Sequence, residues 1–180
     1  MRRTYGAREA VGWGRRLAII AWGLAFVVVA APGAGAASAG THALVGGALG
    51  LAIDGGGAVA FVVGVLTHAL LDMMPHHDPD PEDAADVLLF VGFNAATLLA
   101  TVRLHRQSGG APEVLWGAVG GALPDLEHLL FFRACGGFEL CEKKLFPTHD
   151  GRLPHRGAAP PLLGYAAETG ACLLAVAIAF

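Results

Sequence analysis

Leu66-Thr67-His68-Ala69-Leu70-Leu71-Asp72-Met73-Met74-Pro75-His76-His77-Asp78 begins in an apolar run and ends in a knot of imidazole and carboxylate. His68 and Asp72 stand four residues apart, so a helix stacks them on one face. Pro75 cannot continue that helix, which leaves His76, His77 and Asp78 in the loop just beyond its mouth. Neutral imidazole and carboxylate are the ligands that Zn²⁺ and similar divalent ions take. Other polar residues of the chain look arranged to meet this place.

The composition says what surrounds that helix. Of 180 residues, 54% are hydrophobic and 15% are charged, and the mean hydropathy is +0.55. A soluble domain carries about 25% charged residues, so the balance points to a membrane. The 26 glycines suit closely approaching helices, and the pairs Gly46/Gly50 and Gly117/Gly121 read as helix-packing positions. The net charge of −3 comes without a basic block, which excludes nucleic acid as a partner. Three cysteines make no disulfide framework. Cys172 reads as a buried thiol in an apolar run. Cys135 and Cys141 share a polar loop and would pair only if that loop is extracytoplasmic.

Two segments follow. Residues 1–39 hold Arg2, Arg3, Arg8, Arg15 and Arg16, then an apolar run, then small residues. They form either a signal peptide, cleaved near Ala34-Gly35-Ala36 or Ala37-Ser38-Ala39, or an uncleaved first transmembrane helix. Both keep the N-terminus cytoplasmic. Residues 40–180 read as one membrane-embedded, all-α domain: an integral membrane helical bundle with short Gly/Ala-rich helices. Apolar runs cover 43–53, 58–71, 87–104, 114–123 and 162–180. Between them lie an Asp54-Gly55-Gly56-Gly57 turn, an acidic loop over 72–86, a turn over 108–112 and a long polar segment over 124–161. Asp80, Glu82, Asp83 and Asp86 read as a solvated acidic face. Several runs fall short of the ~20 residues a spanning helix needs, so they are extended by neighbours or are half-spans packed inside the bundle. Glu168 interrupts the last run, where it either pairs with a histidine or faces water.

Sidedness sharpens the picture. With the N-terminal arginines inside and each run crossing once, Arg103-Leu104-His105-Arg106 returns inside, as positive charge prefers. His42, His68, Asp72, His76, Asp125, His128, His149 and His155 then gather at one, extracytoplasmic, face. Arginines and apolar runs set this count, and the histidines play no part in it. Thr41-His42-Ala43-Leu44 also returns as Thr67-His68-Ala69-Leu70. In the second half, Gly120-Gly121-Ala122-Leu123-Pro124-Asp125-Leu126-Glu127-His128 offers Asp125 and His128 on a shared helix face. Thr148-His149-Asp150 and Pro154-His155-Arg156-Gly157 add imidazoles and an arginine from a loop.

Such a set supports metal-assisted hydrolysis. The candidate metal ligands are His42, His68, Asp72, His76, Asp125, His128 and His149, around Zn, with Mn or Fe as alternatives. More than four ligands leave room for two ions. Asp72, Asp125, His155 and Arg156 are the candidate catalytic groups, with Asp72 as a general base and Arg156 as a phosphate or carboxylate binder. At a membrane surface the fitting substrate is a small molecule or a lipid-like headgroup. The alternatives are a non-catalytic metal-binding membrane protein, or a structural multi-pass protein whose histidines hydrogen-bond one another.

Gly40-Thr41-His42-Ala43, the Gly121 to His128 pattern with its Leu123-Pro124-Asp125, and His155-Arg156-Gly157 together resemble the YdjM-like membrane-bound metal-dependent hydrolases. His68, Asp72, Pro75 and His76 fit the same style of site. The resemblance covers roughly residues 40–160 and makes residues 1–39 an extension. It implies a small helical integral membrane protein that binds a divalent metal and hydrolyses an undefined substrate, with His42, Asp125, His128 and His155 at the site. The chain departs from the family's pattern after His155-Arg156-Gly157. Ala158-Ala159-Pro160 stands where a Thr-His-Ser segment is usual, and Thr148-His149 comes earlier.

Overall fold

The computed structural model describes residues 38–80, 82–126, 145–149, 152–153 and 159–180. These residues form five helices and no strand: α1 (Ala39–Ile53), α2 (Gly56–Asp72), α3 (Ala84–Gln107), α4 (Pro112–Ala122) and α5 (Pro161–Ala179). The N-terminal segment to residue 37, with its leader or first-helix alternatives, lies outside the described residues. So do Glu127, His128, Cys135, Cys141, His155 and Arg156.

Local chemistry sets the ends of each element. Ser38 caps α1 by accepting from the Thr41 N–H at 3.3 Å, the usual work of a serine before a helix. α1 stops at Asp54, whose φ of 51° is left-handed, and Gly56 follows at φ 78°, a conformation glycine adopts freely. α2 ends at Asp72, and the Met73 and Met74 N–H groups fold back onto the Leu70 and Leu71 carbonyls at 3.2 and 2.8 Å. α3 starts from Asp83, whose carboxylate accepts from the Ala85 and Asp86 N–H groups at 2.9 and 3.3 Å. Proline opens α4 and α5, where a missing N–H costs nothing.

The core is built on α1, which packs against every other helix. Glycine makes that approach possible. A Cβ on Gly117 would overlap the Gly46 carbonyl oxygen, and one on Gly64 would overlap the Gly117 oxygen. One on Gly120 would overlap the Phe61 oxygen, and one on Gly121 the His42 oxygen. The backbones of α1, α2 and α4 therefore touch. α1 runs antiparallel to both, since His42 meets Gly121 while Gly50 meets Glu113. One end of the bundle thus collects the starts of α1, α3 and α5 and the ends of α2 and α4.

The distribution of polarity is inverted. The largest fully buried side chains are His42, His68, His76 and Glu168. Meanwhile Leu99 is 69% and Leu162 is 84% exposed. On α2 the exposed apolar positions Val59, Val62, Leu66 and Leu70 form one helical stripe. Two helices, α3 and α5, are long and apolar enough to cross a membrane. α1, α2 and α4, at ~22, ~25 and ~16 Å by the ~1.5 Å rise per residue, are shorter than the ~30 Å hydrocarbon core.

Candidate metal centre

The first turn of α1 and the last turn of α2 bring His42, His68 and Asp72 face to face. The repeated Thr-His-Ala-Leu string places the two histidines: their rings stack with centroids 4.0 Å apart and an interplanar tilt of 31°. His68 and Asp72 sit one turn apart, with His68 Nε2 3.1 Å from Asp72 Oδ2. His42 Nε2 lies 3.4 Å from Asp72 Oδ1. From the far loop, His149 Nε2 reaches to 3.5 Å from Asp72 Oδ2 and 3.4 Å from His68 Nε2. His149 rests edge-on to the His68 ring, at 75° and 5.3 Å between centroids. Phe146 packs against both rings at 6.2 Å.

The protons can be assigned at His68. Its Nδ1 stands 2.8 Å from the Gly121 carbonyl oxygen, which can only accept, so Nδ1 carries the hydrogen. In the neutral ring Nε2 then holds a lone pair, aimed at the centre. A backbone carbonyl on the outer nitrogen is the usual way a ligating imidazole is oriented. Gly121 supplies it because the bare α-carbon lets α4 come close to α1 and α2.

Asp72 is the hub. Both its oxygens are buried, and neither meets any described group in hydrogen-bond geometry. Yet three imidazole nitrogens stand 3.1 to 3.5 Å away. A buried carboxylate with imidazole nitrogens on both oxygens, and no hydrogen bond to any of them, is an arrangement that could hold a metal ion. Asp125, just past α4, joins them: its Oδ2 is buried with no described hydrogen-bond partner. Its ligand atom lies within 4.8 Å of those of His42 and His68, and the atoms of His68, Asp72 and His149 meet the same limit. Both triads use His68, whose Nδ1 is taken up by the Gly121 carbonyl. The two triads thus overlap at one imidazole and could share an ion there.

The charge inventory agrees. Asp72 is 0% exposed and Glu168 1%. No lysine or arginine among the described residues is buried. Buried carboxylates need compensating charge, and among the described residues the imidazoles beside Asp72 and the N-terminus of α1 beside Glu168 are placed to supply it.

Of the residues singled out in sequence, His42, His68, Asp72, Asp125 and His149 come together. His76 is fully buried at the same end, but its Nδ1 donates to the Met74 carbonyl at 2.8 Å and it belongs to neither triad. His128, His155 and Arg156 lie outside the described residues. One reading is corrected. Asp86 is not merely part of a solvated acidic face: its oxygens accept from His77 Nε2 at 2.7 and 2.8 Å and from the Asp80 N–H at 2.9 Å. Asp83 is a helix cap. Glu168 pairs with no histidine and does not face water. Its Oε2 accepts from the Ser38 N–H at 3.0 Å and the Thr41 hydroxyl at 2.7 Å. Sequence reasoning also missed Gly121 as the acceptor behind His68, because a carbonyl leaves no residue signature.

Family models, curated proteins and solved structures contain no match to this chain.

Proposed function

We propose that the protein is a membrane-embedded, metal-dependent hydrolase with one divalent ion near the bundle end where α1 begins and α2 ends. The observation that carries this reading is the convergence of three imidazoles on the buried Asp72 carboxylate, whose oxygens hydrogen-bond to none of them, with His68 oriented from behind by Gly121. His42, His68, Asp72 and His149 would hold the ion, with Asp125 beside them. Imidazole and carboxylate donors in this mixture suit Zn²⁺ first, then Mn²⁺ or Fe²⁺. A bound ion would acidify a water molecule and polarise an ester oxygen.

The chain's own residues supply the rest. Asp72, surrounded by three imidazoles, acts as a ligand, which shifts the role of general base to Asp125. Its buried Oδ2 has a free lone pair to take a proton from the attacking water. The resemblance to the YdjM-like hydrolases implies His42, Asp125, His128 and His155 as metal or active-site residues, and the Arg156 guanidinium suits a phosphate or carboxylate of the substrate.

The membrane reading is supported by the inverted polarity and by the two helices of spanning length. It makes the protein multi-pass, with the shorter helices embedded beside α3 and α5. Arg103 and Arg106 are exposed at the end of α3 remote from the site. Positive charge favours the cytoplasmic side, so the site faces the extracytoplasmic side, where a lipid-like phosphoester headgroup is the fitting substrate.

The test is elemental mass spectrometry of the full chain purified in detergent, beside His68→Ala/Asp125→Ala. Near-stoichiometric metal in the parent and none in the variant is expected, followed by turnover of phosphoester or lipid substrates that Asp125→Asn abolishes. Absence of metal in both, even after incubation with excess ion, would leave a hydrogen-bonded structural cluster. Metal without turnover would leave a binding protein.

A further inference from the structure

Among the described residues, Glu168 is the one buried carboxylate that the proposed metal centre does not use. It stands two turns into α5, 1% exposed, and reaches across the bundle to the start of α1. Its Oε2 accepts the Ser38 N–H at 3.0 Å and the Thr41 hydroxyl at 2.7 Å. The Ser38 and Thr41 hydroxyls are themselves 2.9 Å apart, and the His42 N–H donates to the Ser38 carbonyl at 3.1 Å. Two linked residues, Ser38 and Thr41, thus join Glu168 to the backbone of His42. α5 is in turn pinned where it starts, since a Cβ on Gly164 would run into the backbone and Cβ of His77.

Two features point past a simple cap. First, Ser38 already caps α1 through the Thr41 N–H, so the helix start does not need a carboxylate from a remote helix. Second, Glu168 Oε1 is buried with no described hydrogen-bond partner. A carboxylate left half-bonded, where no lysine or arginine among the described residues is buried, is costly unless positive charge lies near. The positive end of α1 supplies part of that. A divalent ion beyond His42 would supply more.

We infer that Glu168 is a positioning residue of the metal centre, holding the first turn of α1 so that His42 stands against Asp72 and adding negative charge behind it. The inference rests on the metal-centre reading. Groups behind a ligand that orient it typically set metal affinity by ~10–100-fold. Glu168 does so through Ser38 and Thr41 without touching the ion.

The experiment is titration of metal-stripped full chain in detergent with Zn²⁺ and with Co²⁺, whose absorption spectrum reports ligand geometry. Parent, Glu168→Gln and Glu168→Ala are compared, with helicity and thermal midpoint measured alongside. Glu168→Gln keeps the shape and an acceptor oxygen but loses the charge. The expected result is parental helicity, ~10-fold or greater weakening of Zn²⁺ binding and an altered Co²⁺ spectrum. Glu168→Ala should weaken binding further. Parental affinity and spectrum in Glu168→Gln would overturn the positioning role while leaving the metal centre intact. Collapse of Glu168→Gln would overturn it too, since the carboxylate would then serve the fold. A parent that binds neither ion would overturn both this inference and the reading beneath it.

Discussion

Two histidine–aspartate groupings stand at the same end of the bundle, and they differ in one respect that decides their use. At His77 and Asp86 every polar atom is spoken for. His77 Nε2 meets both Asp86 oxygens at 2.7 and 2.8 Å, and its Nδ1 faces the Ala159 carbonyl at 3.3 Å. That arrangement is satisfied in full by a ring carrying both protons, and it ties the loop after α2 to the start of α3 and to the residues before α5. At Asp72 the carboxylate has three imidazoles at 3.1 to 3.5 Å and hydrogen-bonds to none of them. A saturated pair is a strut. A buried carboxylate ringed by imidazoles and hydrogen-bonded to none of them could hold a metal ion. Residue types alone do not separate the two, because both are histidine with aspartate.

The sharpest way to break the comparison is to remove one negative charge from each grouping. Asp72→Asn should lower metal affinity by ~100-fold or more, at or beyond the upper range for groups that only orient a ligand. Asp86→Asn should leave metal loading unchanged and lower the thermal midpoint modestly, because it weakens a strut. Metal titration with melting curves on both variants reads the contrast. Equal metal affinities would erase the distinction drawn here.

A smaller effect tests the support behind His68. In Gly121→Ala the new Cβ would overlap the His42 carbonyl oxygen, forcing α4 away from α1 and with it the carbonyl that fixes the His68 ring. Overpacking of this kind costs ~1–3 kcal/mol, and metal affinity should fall with stability. Gly92→Ala is the counterpart on the far side of α3, where a Cβ meets nothing within 4 Å. There the change should be neutral or stabilising by up to ~1 kcal/mol, from helix propensity alone. If both alanines behave alike in denaturation and metal binding, close helix approach is not what places the site.

Much of this was legible in the sequence where the determinant is local. The stacking of His68 on Asp72 follows from spacing on a helix, and the Asp54-Gly55-Gly56-Gly57 break follows from residues that tolerate positive φ. Helix packing at Gly46 and Gly117 follows from the small residues themselves. The repeated Thr-His string pointed to two equivalent histidines, and they do stack on each other. What stayed hidden depends on distant chain segments. Thr41 and Glu168 are 127 positions apart, and His77 and Ala159 are 82 apart. No periodicity encodes such meetings; they follow from which helix faces pack together. Asp86 looked like its acidic neighbours because an aspartate aimed at a histidine and one aimed at water share the same sequence signal.

The smallest expected effect concerns Asp83, which neighbours the strut but belongs to neither grouping. Its carboxylate accepts the Ala85 and Asp86 N–H groups at 2.9 and 3.3 Å, satisfying donors that open α3 without partners. Asp83→Ala should cost ~1 kcal/mol, the usual loss of a helix cap, while Asp83→Ser, which still accepts, should recover most of it. Metal affinity should match the parent in both, because α3 contributes no atom to either triad. A drop in affinity on Asp83→Ala would mean that the start of α3 reaches the metal through His77 and the loop that follows Asp72. The strut and the cation site would then be one device rather than two.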